Sequence, residues 1–302
     1  MKAVVLTEYG DVDKLVLRDL PDPHPDARSI VVRVAGASIN PIDWKMRSGA
    51  ARARFPISLP AVLGRDASGV VVEVGRDVAE FRVGDRVLGV VRGAYAELVT
   101  APADAWARVP EGMDLADAGA LPLVLLTGGQ LAEEAVGARA GETVLVTGAF
   151  GSVGHVAVYG SKARGAKVWA GVLRSQLADA AALGADGIVA LDDDPAIAKL
   201  PTFDAIADTI DGPTIQKLYA KLRPGGVIGS VLGEPPGAKE RGFVVRAIVS
   251  HADSAMLARY ASAVASGELS IPIARRIPLA QAGEAQRLAE AGHLHGKVLL
   301  VA

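Results

Sequence analysis

Hydrophobic and polar positions follow two different patterns along the chain. From residue 1 to about 118, apolar residues form short or alternating runs bounded by Gly, Pro and Asp, such as KAVVLTEYG, SIVVRVAGASIN and ASGVVVEVGRDV. Alternating runs between turn residues are typical of β-strands. This part of the chain therefore predicts an all-β, barrel-like unit.

From about residue 119 to 265, apolar strands alternate with helical stretches. ETVLVTG precedes a predicted helix from about 152 to 164, AKVWAGV precedes one from about 176 to 184, and DGIVAL, FDAIADTI, GGVIGSVL and FVVRAIVS continue the series. This alternation predicts an α/β domain with a parallel, doubly wound sheet. The tail adds a helix and a last strand, GKVLLVA, so we assign residues 1–118 with 266–302 to one domain and 119–265 to the other.

One strand of the second domain ends in VLVTGAFGSVG, where Gly148, Gly151 and Gly154 open the next helix. Such glycines permit a tight strand exit, close approach of backbone amides to a pyrophosphate, and close packing of helix on sheet. The helix N-terminus adds unpaired N–H groups and the positive end of its dipole. Since strand and helix units surround the turn, we predict a dinucleotide site made of Gly148, Phe150, Gly151, Ser152, Val153 and Gly154.

The end of the next strand indicates which dinucleotide binds. An NAD site usually places Asp or Glu there, about 20 residues after the turn, to accept from the ribose 2′-OH. This chain has Arg174 and Ser175 and no acid before Asp179. Because a guanidinium pairs with phosphate in a bidentate geometry, the sequence favours NADP(H). The alternative for Arg174 is a solvated arginine at a helix start.

Composition and charge exclude several other functions. The 302 residues carry a net charge of −2, with Lys and Arg scattered among acids, so no basic stripe is available for nucleic acid. The apolar runs are too short for a membrane span or a secretory signal, and we expect a cytoplasmic protein. The sequence has no cysteine, which excludes disulfides, thiolate nucleophiles and zinc sites with sulfur ligands.

Eight segments cover nearly the whole length in a recognisable order: ASINPIDWKMRSG (37–49), LPAVLGRDASGVVVEVG (59–75), FRVGDRVLG (81–89), GAYAELV (93–99), ALPLVLLTGG (120–129), VLVTGAFGSVG (144–154), LRPGGVIGSV (222–231) and the closing GKVLLV. In this order they resemble the zinc-independent quinone oxidoreductase branch of the medium-chain dehydrogenase/reductase superfamily. The resemblance implies a GroES-like catalytic domain, a Rossmann domain and a cleft between them. It also implies NADPH as cofactor and a homodimer or higher oligomer.

Relatives that bind zinc carry an early Cys and a GHE segment. This chain has SINPID at 38–43 and GRD at 64–66, and its histidines, His24, His155, His251, His293 and His295, show no metal-site spacing. We therefore predict a protein without zinc.

The resemblance also implies roles for individual residues. Asn40 would donate to the cofactor or the acceptor oxygen, Lys45 would steady the acceptor oxygen or relay a proton, and Thr127 would lie by the nicotinamide. Asp43 fits a place in the cleft and a helix cap equally well, and a solvated side chain is an equal alternative for Lys45. Gly128 and Gly129 replace an Ala and an aromatic of relatives, which predicts a more open pocket.

Further cofactor contacts are expected at carboxyl ends of strands, where ligands of doubly wound sheets bind. The predicted residues at these ends are Asp208, Thr209, Val231, Leu232 and Gly233. Phe243, in RGFVV, is expected to close over the nicotinamide, with a core phenylalanine on a strand as the more common alternative. Trp44 and Met46 are candidate walls of an acceptor pocket, with plain packing as the alternative.

Without a Lewis acid, reduction of a simple ketone needs another group to neutralise the developing alkoxide. A quinone or enone relaxes that demand, because the charge spreads into a hydroquinone anion or an enolate. The hypothesis is therefore NADPH-dependent reduction of a quinone or an α,β-unsaturated carbonyl compound. The alternatives are NADP-dependent alcohol dehydrogenation and an NADPH-binding sensor without turnover.

Overall fold

The computed structural model describes residues 1–292 and 294–301; His293 of the predicted histidine set lies outside them. The chain divides into two compact units, Met1–Leu123 with Ala252–Ala302 and Val124–His251. The α/β fold class predicted from the sequence is confirmed. No helix in the described ranges combines the length and apolar character that a bilayer span requires.

The strands follow one another along both units. In chain order they are β1 (Lys2–Leu6), β2 (Leu15–Asp19), β3 (Ser29–Ser38), β4 (Ala61–Val62), β5 (Asp66–Val74), β6 (Arg86–Val90), β7 (Leu98–Pro102), β8 (Trp106–Arg108), β9 (Thr143–Val146), β10 (Lys167–Val172), β11 (Gly187–Ala190), β12 (Phe203–Asp208), β13 (Leu222–Ser230), β14 (Val244–Ala247), β15 (Ile273–Pro278) and β16 (Lys297–Val301).

The α-helices are α1 (Pro41–Arg47), α2 (Pro122–Gln130), α3 (Ser152–Ala163), α4 (Asp194–Ala198), α5 (Gly212–Leu218), α6 (Ser254–Ala265) and α7 (Ala282–Ala291). A π-helical stretch, Leu131–Val136, continues directly from α2.

The first unit is built on two sheets. A three-stranded sheet has the order β2-β1-β4, and a larger one runs β15-β16-β3-β5-β6-β8, with β7 also paired to β3. Strand β16 pairs antiparallel with β3, so the end of the chain completes the larger sheet. The alternating apolar residues face a shared core that includes Ile30, Val32, Tyr95 and Trp106.

The second unit is one parallel sheet with the order β11-β10-β9-β12-β13-β14. The apolar run Val144 to Val146 of β9 is fully buried, as expected for a central strand covered on both faces. All six strands coincide with the six apolar runs predicted from the sequence.

Two expectations for this region are corrected. The predicted helix from about 176 to 184 is absent: two 3₁₀ turns, Arg174–Gln176 and Ala180–Leu183, occupy that connection. The segment ends at Gly184, with φ +64°, and is too short to repay the cost of helix nucleation.

The domain boundaries also differ from 118/119 and 265/266. Helix α6 belongs to the first unit, where it packs on β8 and buries Met256, Leu257 and Tyr260. A helix after a strand looks like one more step of the alternating pattern, which is why the sequence placed it in the second domain.

Candidate active site

The glycine turn lies between β9 and α3 in the second unit. Gly148 has φ +59°, and a Cβ there would lie 2.4 Å from Thr209 Oγ1. A Cβ on Gly154 would lie 2.2 Å from the Gly148 carbonyl oxygen, so helix and turn approach as closely as their backbones permit. At Gly151 the added Cβ would meet only that carbonyl, at 3.3 Å. The first and third glycines are thus required by the fold, whereas the second leaves open space.

This open space fits a pyrophosphate. Gly151 is the N-cap of α3, a helix of 12 residues. The first N–H groups of such a helix lack partners within it, and the positive end of the dipole favours an anion. The turn therefore has the shape and the donor set for the phosphates of a dinucleotide.

Arg174 and Ser175 follow β10, and both side chains are exposed. The Arg174 guanidinium lies 2.7 Å from Asp193 Oδ2, and the Arg174 amide donates to Asp192 Oδ1 at 2.8 Å. The predicted phosphate-binding cation is therefore present at the strand end, already in contact with a carboxylate. Sequence reasoning missed this carboxylate, although the acidic run Asp192 to Asp194 was its visible signal.

Asp208 ends β12, but its carboxylate is turned into the protein. Its Oδ1 accepts from Thr147 Oγ1 at 2.8 Å, and its Oδ2 accepts from Ser230 Oγ at 3.3 Å. The side chain is fully buried, which raises the pKa of Asp208. The carboxyl ends of β9, β12 and β13 are thereby joined by one buried acid. The expected cofactor contact through this carboxylate is corrected to a structural role, because its oxygens are occupied by the protein.

The neighbours of Asp208 complete this junction of strand ends. Thr209 donates through Oγ1 to the Thr147 carbonyl at 2.7 Å, and Leu232 donates its amide to Ser230 Oγ at 3.2 Å. Val231 packs against the core, whereas the Leu232 side chain is 40% exposed and Gly233 has φ +123°. This rim retains apolar and backbone groups that a cofactor can contact.

Phe243 lies just before the edge strand β14. Its ring is 5.5 Å from the Tyr219 ring, and the side chain packs against the core of the second unit. The half-buried ring thus has the packing role that the sequence left as the more common case, and no cofactor contact is needed to explain its position.

Asn40 is the largest correction in the first unit. Its side chain is 1% exposed: Nδ2 donates to Asp66 Oδ2 at 2.8 Å, and Oδ1 accepts from Lys297 Nζ at 2.6 Å. The amide is therefore engaged inside the protein at both ends. It has no exposed donor for an acceptor oxygen, and its role is to connect Asp66 with Lys297.

Asp43 is a helix cap. Its Oδ2 accepts from the backbone N–H of Asn40 at 2.8 Å, which closes a capping box at the start of α1. The same oxygen accepts from the Tyr95 hydroxyl at 2.9 Å. Oδ1 has no hydrogen-bond partner. Burial raises the pKa of Asp43 to about 7, against the lowering effect of its hydrogen bonds from Asn40 and Tyr95. Of the two interpretations left open by the sequence, the structure supports the cap.

The remaining candidates are divided between surface and core. Lys45 is exposed on α1, while Trp44 and Met46 pack against the core of the first unit. Thr127 is half-buried on α2.

The expected open pocket at Gly128 is corrected. A Cβ on this residue would lie 2.5 Å from the Val156 side chain of α3. Gly128 therefore permits close packing of two helices within the second unit.

Two family models match the chain. One, described as an alcohol dehydrogenase GroES-like domain, matches residues 26–111, and the other, described as a zinc-binding dehydrogenase, matches residues 183–300. The solved structure of the quinone oxidoreductase from Coxiella burnetii superimposes with a TM-score of 0.90 at 29% identity, covering 100% of this chain and 99% of that one. This chain belongs to the medium-chain dehydrogenase/reductase superfamily, in its quinone oxidoreductase branch.

Other members of the superfamily are similar over most of the chain. A chloroplast envelope quinone oxidoreductase homolog of Arabidopsis thaliana is 27% identical, covering 93% of this chain and 92% of the relative. A 2-methylene-furan-3-one reductase of Solanum lycopersicum is 32% identical over 81% of this chain and 65% of the relative. A mycobacterial protein solved in complex with NADPH has a TM-score of 0.86 at 26% identity, with both chains covered completely. The chain is thus an oxidoreductase of the nicotinamide-dependent type.

Zinc-binding members of the superfamily raise the question of whether these residues fit a metal. Ser38 begins the SINPID segment of the first unit, and its hydroxyl donates to Asp66 Oδ2 at 2.5 Å. Asp66 Oδ1 accepts from the Leu123 amide at 2.6 Å, and Lys297 Nζ lies 3.8 Å from Oδ2. The Asp66 carboxylate therefore accepts hydrogen bonds from Ser38, Asn40 and Leu123 and lies near a buried ammonium.

The donor set as a whole does not fit a zinc site. The described part of the chain has no group of three or more His, Asp or Glu side chains placed to hold a metal ion. The charge of Asp66 is instead balanced by Lys297, whose pKa is lowered by burial. Neither residue was singled out by sequence reasoning, although Lys297 lies in the closing GKVLLV segment.

Proposed function

We propose that this protein reduces quinones or α,β-unsaturated carbonyl compounds with NADPH. The glycine turn carries the proposal: a positive-φ Gly148, a Gly154 that admits no Cβ, and open space at Gly151 before α3. The similarity to quinone oxidoreductases and to a reductase of a conjugated furanone supports the acceptor class. The NADPH complex of a related protein supports the cofactor.

The cofactor supplies a hydride when it is bound. The chain binds and orients it: α3 offers N–H groups to the pyrophosphate, and Arg174 offers a guanidinium to the ribose 2′-phosphate. The junction through Asp208 holds the ends of β9, β12 and β13 in register, so that the backbone of the rim keeps its shape. Positioning of this kind can account for much of the rate of a hydride transfer.

We propose that the reaction proceeds without zinc, on the evidence of the donor set. The sequence has no cysteine, and Asp66 is engaged by Ser38, Asn40 and the Leu123 amide. A conjugated acceptor suits such a site, since its developing charge is delocalised and a few hydrogen-bond donors suffice to stabilise it.

We also propose a homodimer formed at the edge of the second unit's sheet. Strand β14 is the last strand of that sheet; Val244 on the strand is 43% exposed, and Val249, just after its end, is 52% exposed. An exposed edge strand with apolar side chains is a template for pairing with another strand. A second copy of the same chain would extend the sheet through its own β14.

The enzymatic proposal is tested by following NADPH oxidation with a panel of quinones, enones, simple ketones and alcohols. Consumption of quinones or enones is expected. NADPH binding without consumption of any acceptor would leave only a sensor, and NADP reduction by simple alcohols would favour an alcohol dehydrogenase.

The cofactor proposal is tested with Arg174→Ala. Loss of a charge-assisted contact should raise the KM for NADPH roughly tenfold, with little change in that for NADH. Arg223→Ala is the matched control, because Arg223 is an ion-paired arginine of the same unit, 2.8 Å from Asp204. Equal effects of Arg174→Ala on the two cofactors would refute the assigned role.

A further inference from the structure

The guanidinium that the proposed function assigns to the 2′-phosphate is in an ion pair within the chain. Arg174 Nη2 lies 2.7 Å from Asp193 Oδ2, while the Arg174 side chain is 66% exposed and that of Asp193 is 22% exposed. The contact uses one of the five donors of the guanidinium. The remaining donors are oriented by a carboxylate before any ligand arrives.

Two adjacent strand ends bring these residues together. Strands β10 and β11 are parallel, with Val172 opposite Ala190, so Arg174 and Asp192 follow at equivalent positions. The Arg174 amide donates to Asp192 Oδ1 at 2.8 Å, which fixes the backbone of this corner. Asp193 is also the N-cap of α4, accepting from the Ala196 amide at 3.4 Å through Oδ1. Both ends of the ion pair are therefore held by local structure.

The charges at this corner oppose the binding of the ribose 2′-phosphate. The Arg174 guanidinium contacts the carboxylate of Asp193, and the Arg174 backbone amide donates to the carboxylate of Asp192, so two acids lie at this corner with one cation. A 2′-phosphate must share the guanidinium with Asp193 or displace it, and must approach both acids. A ribose 2′-OH meets no such penalty, since it is neutral and can donate to a carboxylate.

We propose that Asp193 is a specificity-determining residue that reduces the preference for NADPH over NADH by holding the Arg174 guanidinium. This inference rests on the proposed function, which places the ribose of the cofactor at Arg174. The enzyme consequently uses NADPH with a modest preference and accepts NADH. The acidic residue acts through the arginine, and removing its charge releases the guanidinium for the phosphate.

The test uses Asp193→Asn, because asparagine keeps the capping oxygen of α4 and removes only the charge. Titration calorimetry with 2′,5′-ADP and with 5′-AMP measures the effect of the 2′-phosphate without turnover. The affinity ratio of the two ligands should rise roughly twofold to fivefold, in the range of exposed ion pairs. The ratio of kcat/KM for NADPH and NADH should rise in parallel, and added salt should diminish both gains.

The matched control is Asp194→Asn. It makes the same charge change one residue away, where the carboxylate lies 2.7 Å from Lys217 Nζ, and it should leave the ratio unchanged. A ratio that is unchanged or lowered in Asp193→Asn, or raised equally by Asp194→Asn, would overturn the proposal.

Arg174→Ala separates this inference from the proposed function. If Arg174→Ala alone leaves the 2′,5′-ADP to 5′-AMP ratio unchanged, the assignment of the arginine to the 2′-phosphate fails, and the inference fails with it. If Arg174→Ala lowers the ratio but Asp193→Asn does not raise it, only the inference fails. In the Arg174→Ala background, Asp193→Asn should raise the affinity ratio much less. An equal rise there would show that Asp193 does not act through the arginine.

Discussion

The carboxyl group of Asp43 lies in a buried polar cluster of the first unit. Tyr95 donates to it, Asp66 acts on it with like charge, and Lys297 acts on it with opposite charge. Burial is the dominant influence and raises the pKa of Asp43 from 3.8 to about 7. The native chain therefore binds this proton more tightly than the unfolded chain does.

This difference gives a pH dependence of known sign. The contribution of Asp43 to stability is fully present below about pH 4 and is lost as pH rises through about 7. Between pH 5 and 8 the free energy of unfolding should fall by about 2–3 kcal/mol on account of this residue. Asp43→Asn keeps an oxygen that can accept from the backbone N–H of Asn40, and its side chain cannot ionise. The stability of this variant should therefore vary less over that pH range.

Urea unfolding of both proteins at a series of pH values measures this difference. Other titrating groups are common to the two proteins and cancel in the comparison. Parallel pH profiles for Asp43→Asn and the parent would show that Asp43 does not take up a proton on folding.

The glycine turn and α3 predict opposite outcomes for two substitutions of the same kind. Gly154→Ala places a Cβ 2.2 Å from the Gly148 carbonyl and should destabilise the fold by at least about 2 kcal/mol. Gly151→Ala meets only a 3.3 Å contact, so the melting temperature should be nearly unchanged while NADPH affinity falls. Thermal unfolding and NADPH titration of both variants test this. Gly151→Ala with unaltered NADPH affinity would place the pyrophosphate elsewhere.

Strand β16 is anchored through a buried ammonium. Lys297 Nζ donates to the Ile39 carbonyl at 3.1 Å and to Asn40 Oδ1 at 2.6 Å, beside the carboxylate of Asp66. Lys297→Met leaves Asp66 buried without its cation and should cost about 3 kcal/mol of unfolding free energy. Urea unfolding measures it, with Lys167→Met, at the exposed first residue of β10, as the control. Equal small losses in the two variants would show that the buried ammonium of Lys297 stabilises the fold no more than an exposed lysine does.

The elements of the second unit were predictable because its buried strands are continuous apolar runs and its turn needs three glycines. The helix α6 was not, since only its packing on β8 assigns it to the first unit. In the candidate site, the geometry of the glycine turn and the position of Arg174 after β10 were predictable because they are local, and their contacts with a cofactor stay predictions. Asn40 was misassigned because its partners Asp66 and Lys297 lie 26 and 257 residues away, and no short-range pattern reveals such pairs.

At the level of the whole molecule, the proposed homodimer depends on the edge strand β14. Light scattering should give twice the chain mass. Val244→Asp on β14 with Val249→Asp just after it should yield a monomer, because charges at an edge strand oppose pairing. Val16→Asp on β2, another exposed apolar edge position, is the control and should remain dimeric. A dimer that survives the double substitution would place the interface elsewhere.

The position to which hydride is delivered tests the proposed chemistry most directly. NADPH deuterated at the transferable C4 position is incubated with the protein and an enone, and the product is analysed by NMR. Deuterium at the β-carbon, with the carbonyl retained and with no loss of rate after treatment with a zinc chelator, is the predicted result. Deuterium at the carbonyl carbon, or transfer that stops when zinc is removed, would contradict a metal-free reduction of conjugated acceptors.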